Sequence, residues 1–260
     1  MPIPTDGYPR AAAHTPRLQV VETTGSTNAD VVAAVTADPA GWPHLSLLVT
    51  DDQRAGRGRL DRSWTAPAGT ALAVSVVVDA STIPMPLRGW IPLAAGAAMT
   101  RAVRGQLTGH GSTAELKWPN DVLVDGGKIC GILAEAVPGT FDTVVVGAGV
   151  NTRMTRADLP VTTATSFAAI GVDSDDDRLL ADYLEELGRI LAELEKGDIE
   201  RVHPDIEKLC ATVGRDVSVA MPDGSTLAGT ATRLDDEGRL VVDAGTIETV
   251  VSAGDVVHVR

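Results

Sequence analysis

Two stretches near the middle of the chain decide the fold: Glu115-Leu-Lys-Trp-Pro-Asn-Asp-Val-Leu-Val-Asp-Gly-Gly-Lys-Ile-Cys-Gly-Ile-Leu-Ala-Glu-Ala136 and Thr143-Val-Val-Val-Gly-Ala-Gly-Val-Asn151. Within them, 115–118, 128–136 and 143–150 are rich in Leu, Ile and Val and predict three strands. Asp125-Gly126-Gly127 predicts a tight turn before the second strand, because Asp and Gly tolerate the positive φ that such turns demand.

Working outward, 18–21, 45–50 and 70–78 predict further strands. Ser26 or Thr27 predicts the cap of a helix whose apolar positions include Val31, Val32 and Val35. A second helix is expected over 90–103, where Ala94, Ala95, Ala97 and Ala98 favour close packing. A third is expected over 178–194, with apolar residues recurring at helical spacing. Residues 173–208 hold 13 acidic and 5 basic residues, which reads as a solvated helix and linker face. From Val213 onward, short strands separated by Pro-Asp-Gly, Glu-Gly and Ala-Gly turns predict a small β-barrel. The fold class is therefore α+β: a mixed β-sheet domain flanked by helices, plus a small C-terminal β-barrel. The expected organisation is a flexible tail over 1–16, a main domain over 17–210 and the barrel over 211–260.

Composition removes several functions. With 35 acidic against 22 basic residues, the net charge of −13 disfavours a general affinity for nucleic acid or anionic membranes. No run approaches 18 apolar residues, so no membrane span is expected, and the absence of a basic-then-apolar leader points to the cytoplasm. Cys130 and Cys210, 80 positions apart, make neither a disulfide framework nor a zinc site. The first 16 residues are too few for a helix-turn-helix module, so no regulatory DNA-binding domain is expected.

Four stretches carry chemistry. Asp52 to Trp64 places Arg54, Arg57, Arg59 and Arg62 in an acidic chain, beside Gln53, Gly56 and Gly58. Guanidinium groups grip carboxylate or phosphate through paired hydrogen bonds, and glycines let backbone approach a ligand. The Gly-Lys-Ser/Thr of a Walker loop is missing. Lys117-Trp118-Pro119-Asn120-Asp121, followed by Gly127-Lys128, holds two of only four lysines. A lysine kept where arginine is the habit suggests a compact ammonium facing developing negative charge. Asn120 and Asp121 offer oxygens suited to Mg²⁺ or a ribose. Thr24-Gly25-Ser26-Thr27-Asn28 supplies donors and acceptors for a small polar ring, or only a helix cap. Gly147-Ala148-Gly149-Val150-Asn151 gives backbone room for a ligand, or tight packing.

In this order the motifs resemble the biotin–protein ligases, the family of biotin–[acetyl-CoA-carboxylase] ligase, over Val20 to about Arg260. The resemblance implies a class II aminoacyl-tRNA synthetase-like catalytic domain and an SH3-like C-terminal barrel. It implies ATP and biotin as substrates with Mg²⁺, and a biotin carboxyl carrier domain of an acyl-CoA carboxylase as transient partner. A monomer or a homodimer is compatible with the family. It further implies that Ser26, Thr27, Asn28, Gln53, Gly56, Gly58, Gly131 and Leu133 form the biotin site. Arg57, Arg59 and Lys128 would face the carboxylate and phosphate, as catalytic groups that also touch biotin. Arg59, Trp64, Lys117, Asn120, Asp121 and Asn151 would serve ATP, with Asp121 as a metal contact. Asp61 stands where the family usually has Gly, and Val122 where Leu or Ile is usual. Cys130 is expected in the core. The alternative acid substrate is lipoate or octanoate, used by ligases of related architecture. A biotin-responsive transcription factor and a non-enzymatic binding module are the other classes weighed.

Overall fold

A computed structural model describes residues 7–60, 62–140, 142–245 and 247–259. Alternation along its longest strands explains the layering. In Ala71–Asp79 (β5), Leu72, Val74, Val76 and Val78 enter the main core, whereas Val77 joins a second cluster on the opposite face. In Thr143–Asn151 (β9), Val146, Ala148 and Val150 face the main core, and Val145 faces the other way. Side chains two apart share a face, so both sheet faces must be covered.

Seven strands form that sheet. Leu18–Val20 (β1) pairs in parallel with Leu47–Thr50 (β2). All other neighbours run antiparallel, in the order β1-β2-β5-β9-β8-β7-β6, where Ala114–Lys117 is β6, Asp121–Val124 is β7 and Gly127–Ala136 is β8. Ile91–Gln106 (α3) and Asp176–Glu195 (α4) cover the main core face. Thr27–Ala37 (α2) covers part of the other face through Val31 and Val35. Ser26 caps it, its hydroxyl accepting from the Ala29 N–H at 3.4 Å. The glycine-rich end of this face lies under the first turn of α2 and Trp64, and the cleft is there.

The turn expected at 125–127 is present: Asp125 and Gly126 have φ of 49° and 83° and join β7 to β8. β7 itself was not foreseen, because Asp121 to Val124 lies within the polar motif. Ile199–Glu207 (α5) forms where a linker was expected, burying Val202 and Ile206. Pro9–Ala12 (α1) forms one turn whose Ala11 is buried, and Asp177 of α4 accepts the Arg10 and Ala11 backbone N–H groups at 3.1 and 3.0 Å.

The C-terminal barrel is a correction. The strands Asp216–Ala220 (β10), Thr226–Leu234 (β11), Leu240–Asp243 (β12), Glu248–Val251 (β13) and Asp255–His258 (β14) form an open sheet. Its order is β13-β12-β11-β10-β14, and β13 and β14 do not pair. Closure requires outer strands that tilt, stagger and meet; here both are four residues long. The sheet buries its apolar face against the rest of the chain instead. Val217, Val219, Ala231, Leu234, Leu240, Val242, Val251 and Val256 belong to the main core cluster. Trp90 and Trp118 donate their indole N–H groups to Asp236 O and Gly238 O, at 2.8 and 3.1 Å.

Candidate active site

The floor of the cleft is set by strand register. Gly131 pairs with Gly149, and two residues further along both strands Leu133 pairs with Gly147. Glycines here leave room that any side chain would fill. A Cβ on Gly147 would lie 2.3 Å from Asn28 Oδ1, and one on Gly149 2.7 Å from the Trp64 ring. The cavity above holds about 870 Å³, counting its open mouth.

One end of the floor carries a buried polar cluster. Gln53 Oε1 accepts from the Thr27 backbone N–H at 2.8 Å and from the Thr27 hydroxyl at 3.1 Å. Asn28 Nδ2 donates to Glu135 Oε2 at 2.7 Å and to Leu133 O at 3.2 Å. Ser75 Oγ stands 2.8 Å from Thr27 Oγ1 and 2.6 Å from Asn28 Oδ1. Ser75 and Glu135 were not assigned roles from the sequence. For Ser75 a signal existed: it is the one polar side chain in the run 71–78, and it is fully buried. A buried polar group needs partners.

The other end carries cations. Lys128 reaches back over Gly131, and its Nζ lies 2.6 Å from Asp121 Oδ1. The hairpin Gly56–Arg57 (β3) and Ser63–Trp64 (β4) brings in the arginines. Arg54 pairs with Asp52 at 2.9 Å, Arg57 with Glu135 at 3.0 Å and Arg62 with Asp255 at 2.5 Å. Arg59 differs. Its Nη1 donates to Asn120 Oδ1 at 3.1 Å and its Nη2 to Gly254 O at 3.2 Å, and among the described residues no carboxylate pairs with it. Burial pulls its guanidinium below the usual arginine range. Its charge is thus held by two neutral oxygens in a partly desolvated place. Asn120 is itself fixed, its Nδ2 donating to Ile132 O at 2.7 Å.

Most of the expected site residues meet here. Ser26, Thr27, Asn28, Gln53, Arg57, Gly58, Arg59, Trp64, Asn120, Asp121, Lys128, Gly131 and Leu133 all line the cleft. Gly56 lies behind Gln53, where a Cβ would come within 2.4 Å of Gln53 Nε2. Lys117 does not line the cleft, although its charge reaches Asp255 at the rim. Asn151 does not line it either; it is buried at the end of β9 and donates to Thr165 O at 2.9 Å. Asp61 lies outside the described residues. Cys130 is buried, and desolvation pushes its thiol far up, which suits a core residue. Among the described residues no three His, Cys, Asp or Glu side chains converge as a metal cage, and no helix is long and apolar enough to cross a membrane.

Comparison with known proteins gives a consistent neighbourhood. Residues 22–151 match the model of the biotin/lipoate A/B protein ligase family. The chain is 40% identical over 252 residues to the biotin–[acetyl-CoA-carboxylase] ligase of Mycobacterium tuberculosis, covering 94% of this chain and 90% of that one. Its fold superposes on biotin protein ligase from Aquifex aeolicus in complex with biotin and ATP, with a TM-score of 0.77, 23% identity and coverage of 94% and 99%. A Leishmania major biotin protein ligase in complex with biotinyl-5-AMP matches with a TM-score of 0.56, 28% identity and coverage of 92% and 99%.

Proposed function

This chain belongs to the biotin/lipoate A/B protein ligase family, and from that premise we propose how its cleft works. It is a biotin–protein ligase: it activates biotin with ATP to biotinyl-5′-AMP and passes the acyl group to a lysine of a carrier protein. The observation that carries the reading is the two-ended floor. A buried set of hydroxyl and amide groups stands at Gly147, and unlike it, two residues away along the strands, Lys128 and Arg59 present cations. Two strand residues span about 7 Å. That spacing suits an acid with a polar ring at one end, an apolar chain and a carboxylate at the other. A cyclic urea has both N–H and C=O to satisfy, and Thr27, Gln53 and Asn28 offer matching acceptors and donors. A dithiolane ring has no such groups, which favours biotin over lipoate.

In the first half-reaction a biotin carboxylate oxygen attacks the α-phosphorus of ATP, and the bond to the β-phosphate oxygen breaks to release pyrophosphate. Two anions must approach, so the main work is placement and charge stabilisation. Arg59 suits this best, because among the described residues no carboxylate pairs with it and its guanidinium faces the cleft. Lys128 adds a second positive charge, and Trp64 over Gly149 supplies a flat cover for the nucleotide. Mg²⁺ arrives as part of the substrate, MgATP, with Asp121 and Asn120 as nearby oxygen donors. Mg²⁺ is commonly held by one or two carboxylates and the phosphates, which one or two such donors would satisfy. In the second half-reaction a lysine amine attacks the biotinyl carbonyl carbon and AMP leaves. The partner proposed is the carrier domain of an acyl-CoA carboxylase, in the cytoplasm where ATP is supplied.

Biotin-dependent ATP–pyrophosphate exchange, with lipoate run in parallel, tests the reading. Exchange with biotin alone is expected. Exchange with lipoate alone would replace the substrate, and exchange with neither would overturn the reading.

A further inference from the structure

The hairpin that carries Arg59 is too small to hold itself. β3 and β4 contribute two residues each and exchange two register pairs, whereas an isolated two-stranded hairpin is marginal even when longer. At its tip the turn is closed by backbone bonds, Gly58 N–H to Arg62 O at 2.6 Å and Arg62 N–H to Arg59 O at 3.3 Å. What anchors this tip comes from far away in sequence. Arg59 Nη2 donates to Gly254 O, and Arg62 pairs with the next residue, Asp255, through both Nη atoms. Asp255 opens β14, the edge strand of the open C-terminal sheet, and Gly254 immediately precedes it. Gly254 has no room for a side chain: a Cβ would lie 2.6 Å from Val219 Cγ1 and 3.1 Å from Ala220 O. The turn that receives the arginines is therefore packed firmly onto β10. Asp255 also lines the cleft, and Arg62 and Lys117 hold its carboxyl below the usual range. An acid at the rim of a site for a polyanion repels that substrate, so its presence asks for a compensating role.

We infer that Asp255 is a positioning residue for the adenylation step, acting through Arg62 to fix the hairpin tip so that Arg59 stays aimed into the cleft. The inference rests on the ligase reading for its consequence in catalysis, but the anchoring itself is separable. The Arg62–Asp255 pair is half exposed, and pairs of this kind shift an equilibrium by no more than about fivefold.

The test uses the whole chain. Asp255→Asn and Arg62→Asp are compared with the charge-reversed double variant R62D/D255R by hydrogen exchange. In each single variant, amides 55–63 should exchange roughly two- to fivefold faster, with β10 to β12 unchanged. The double variant should return toward the natural rate. General destabilisation would instead raise exchange throughout the C-terminal sheet. In the exchange assay, Asp255→Asn should raise the KM for MgATP by a similar factor, more than it lowers kcat. Unchanged loop exchange in both single variants, or no recovery in the double, overturns the inference. Loss of anchoring with no pyrophosphate exchange by the natural chain would overturn the ligase reading and leave the anchor standing.

Discussion

Lys128 Nζ lies 2.6 Å from Asp121 Oδ1, across strands β8 and β7, at the mouth of the cleft. The lysine side chain is 44% exposed, so it contributes little to the core and its pairing is exchangeable with a bound anion. Lys128→Ala should therefore lower biotin-dependent pyrophosphate exchange by about 100-fold, the scale of one stabilising group lost from a reaction centre. Its urea midpoint should stay within the range of an ordinary surface substitution. A parallel loss of folding and of exchange would mean that Lys128 is structural. Lys128→Arg should rescue poorly, because a planar fork does not replace a compact ammonium above Gly131.

The sequence was legible where a local rule and the tertiary contacts agree. Strands β8 and β9, helix α2 with its Ser26 cap, and the Asp125-Gly126 turn follow from alternation, capping and positive φ. The glycines of β8 and β9 could be noticed, but their pairing into one floor depends on register, which is a property of two strands together. α5 was illegible because its acidic surface masked the few apolar positions that bury it. Closure of the C-terminal sheet could not be read from strand pattern, since an open sheet and a barrel share the same alternation; what differs is whether β13 reaches β14 or the core covers the face. The unequal states of the four loop arginines were equally hidden. Arg57 and Arg59 look alike in sequence, and only Glu135 and Asn120, brought from other strands, separate them.

Ser75 should matter for stability as well as for binding. Its hydroxyl has one proton to give, and its neighbours Asn28 Oδ1 and Thr27 Oγ1 are buried. Ser75→Ala removes the hydroxyl that, among the described residues, donates to Asn28 Oδ1. A buried acceptor left without a partner costs about 1–3 kcal/mol. Urea unfolding should show a loss in that range, and the KM for biotin should rise. A change below about 0.5 kcal/mol, within the noise of surface substitutions, would show that a water or a rotated amide replaces the hydroxyl.

Gly147→Ala puts the sharpest constraint on the floor. The new methyl would stand 2.3 Å from Asn28 Oδ1 and 2.9 Å from its Cγ. Asn28 cannot move aside cheaply, because its amide is tied to Leu133 O and Glu135 Oε2 while Ser75 holds its oxygen. Either those bonds break or the strand shifts, and overpacking of this kind costs about 1–3 kcal/mol. If Asn28 reads the polar ring of biotin, the KM for biotin in the exchange assay should rise about tenfold or more, while the KM for MgATP moves less. Gly188→Ala provides the comparison. It lies on α4, away from the cleft, and its methyl would meet only the flexible end of Leu45 at 3.2 Å. It should leave the biotin KM unchanged. Equal effects of Gly147→Ala on both substrates would mean that the floor serves the whole cleft, and that the polar end is not where the acid is read.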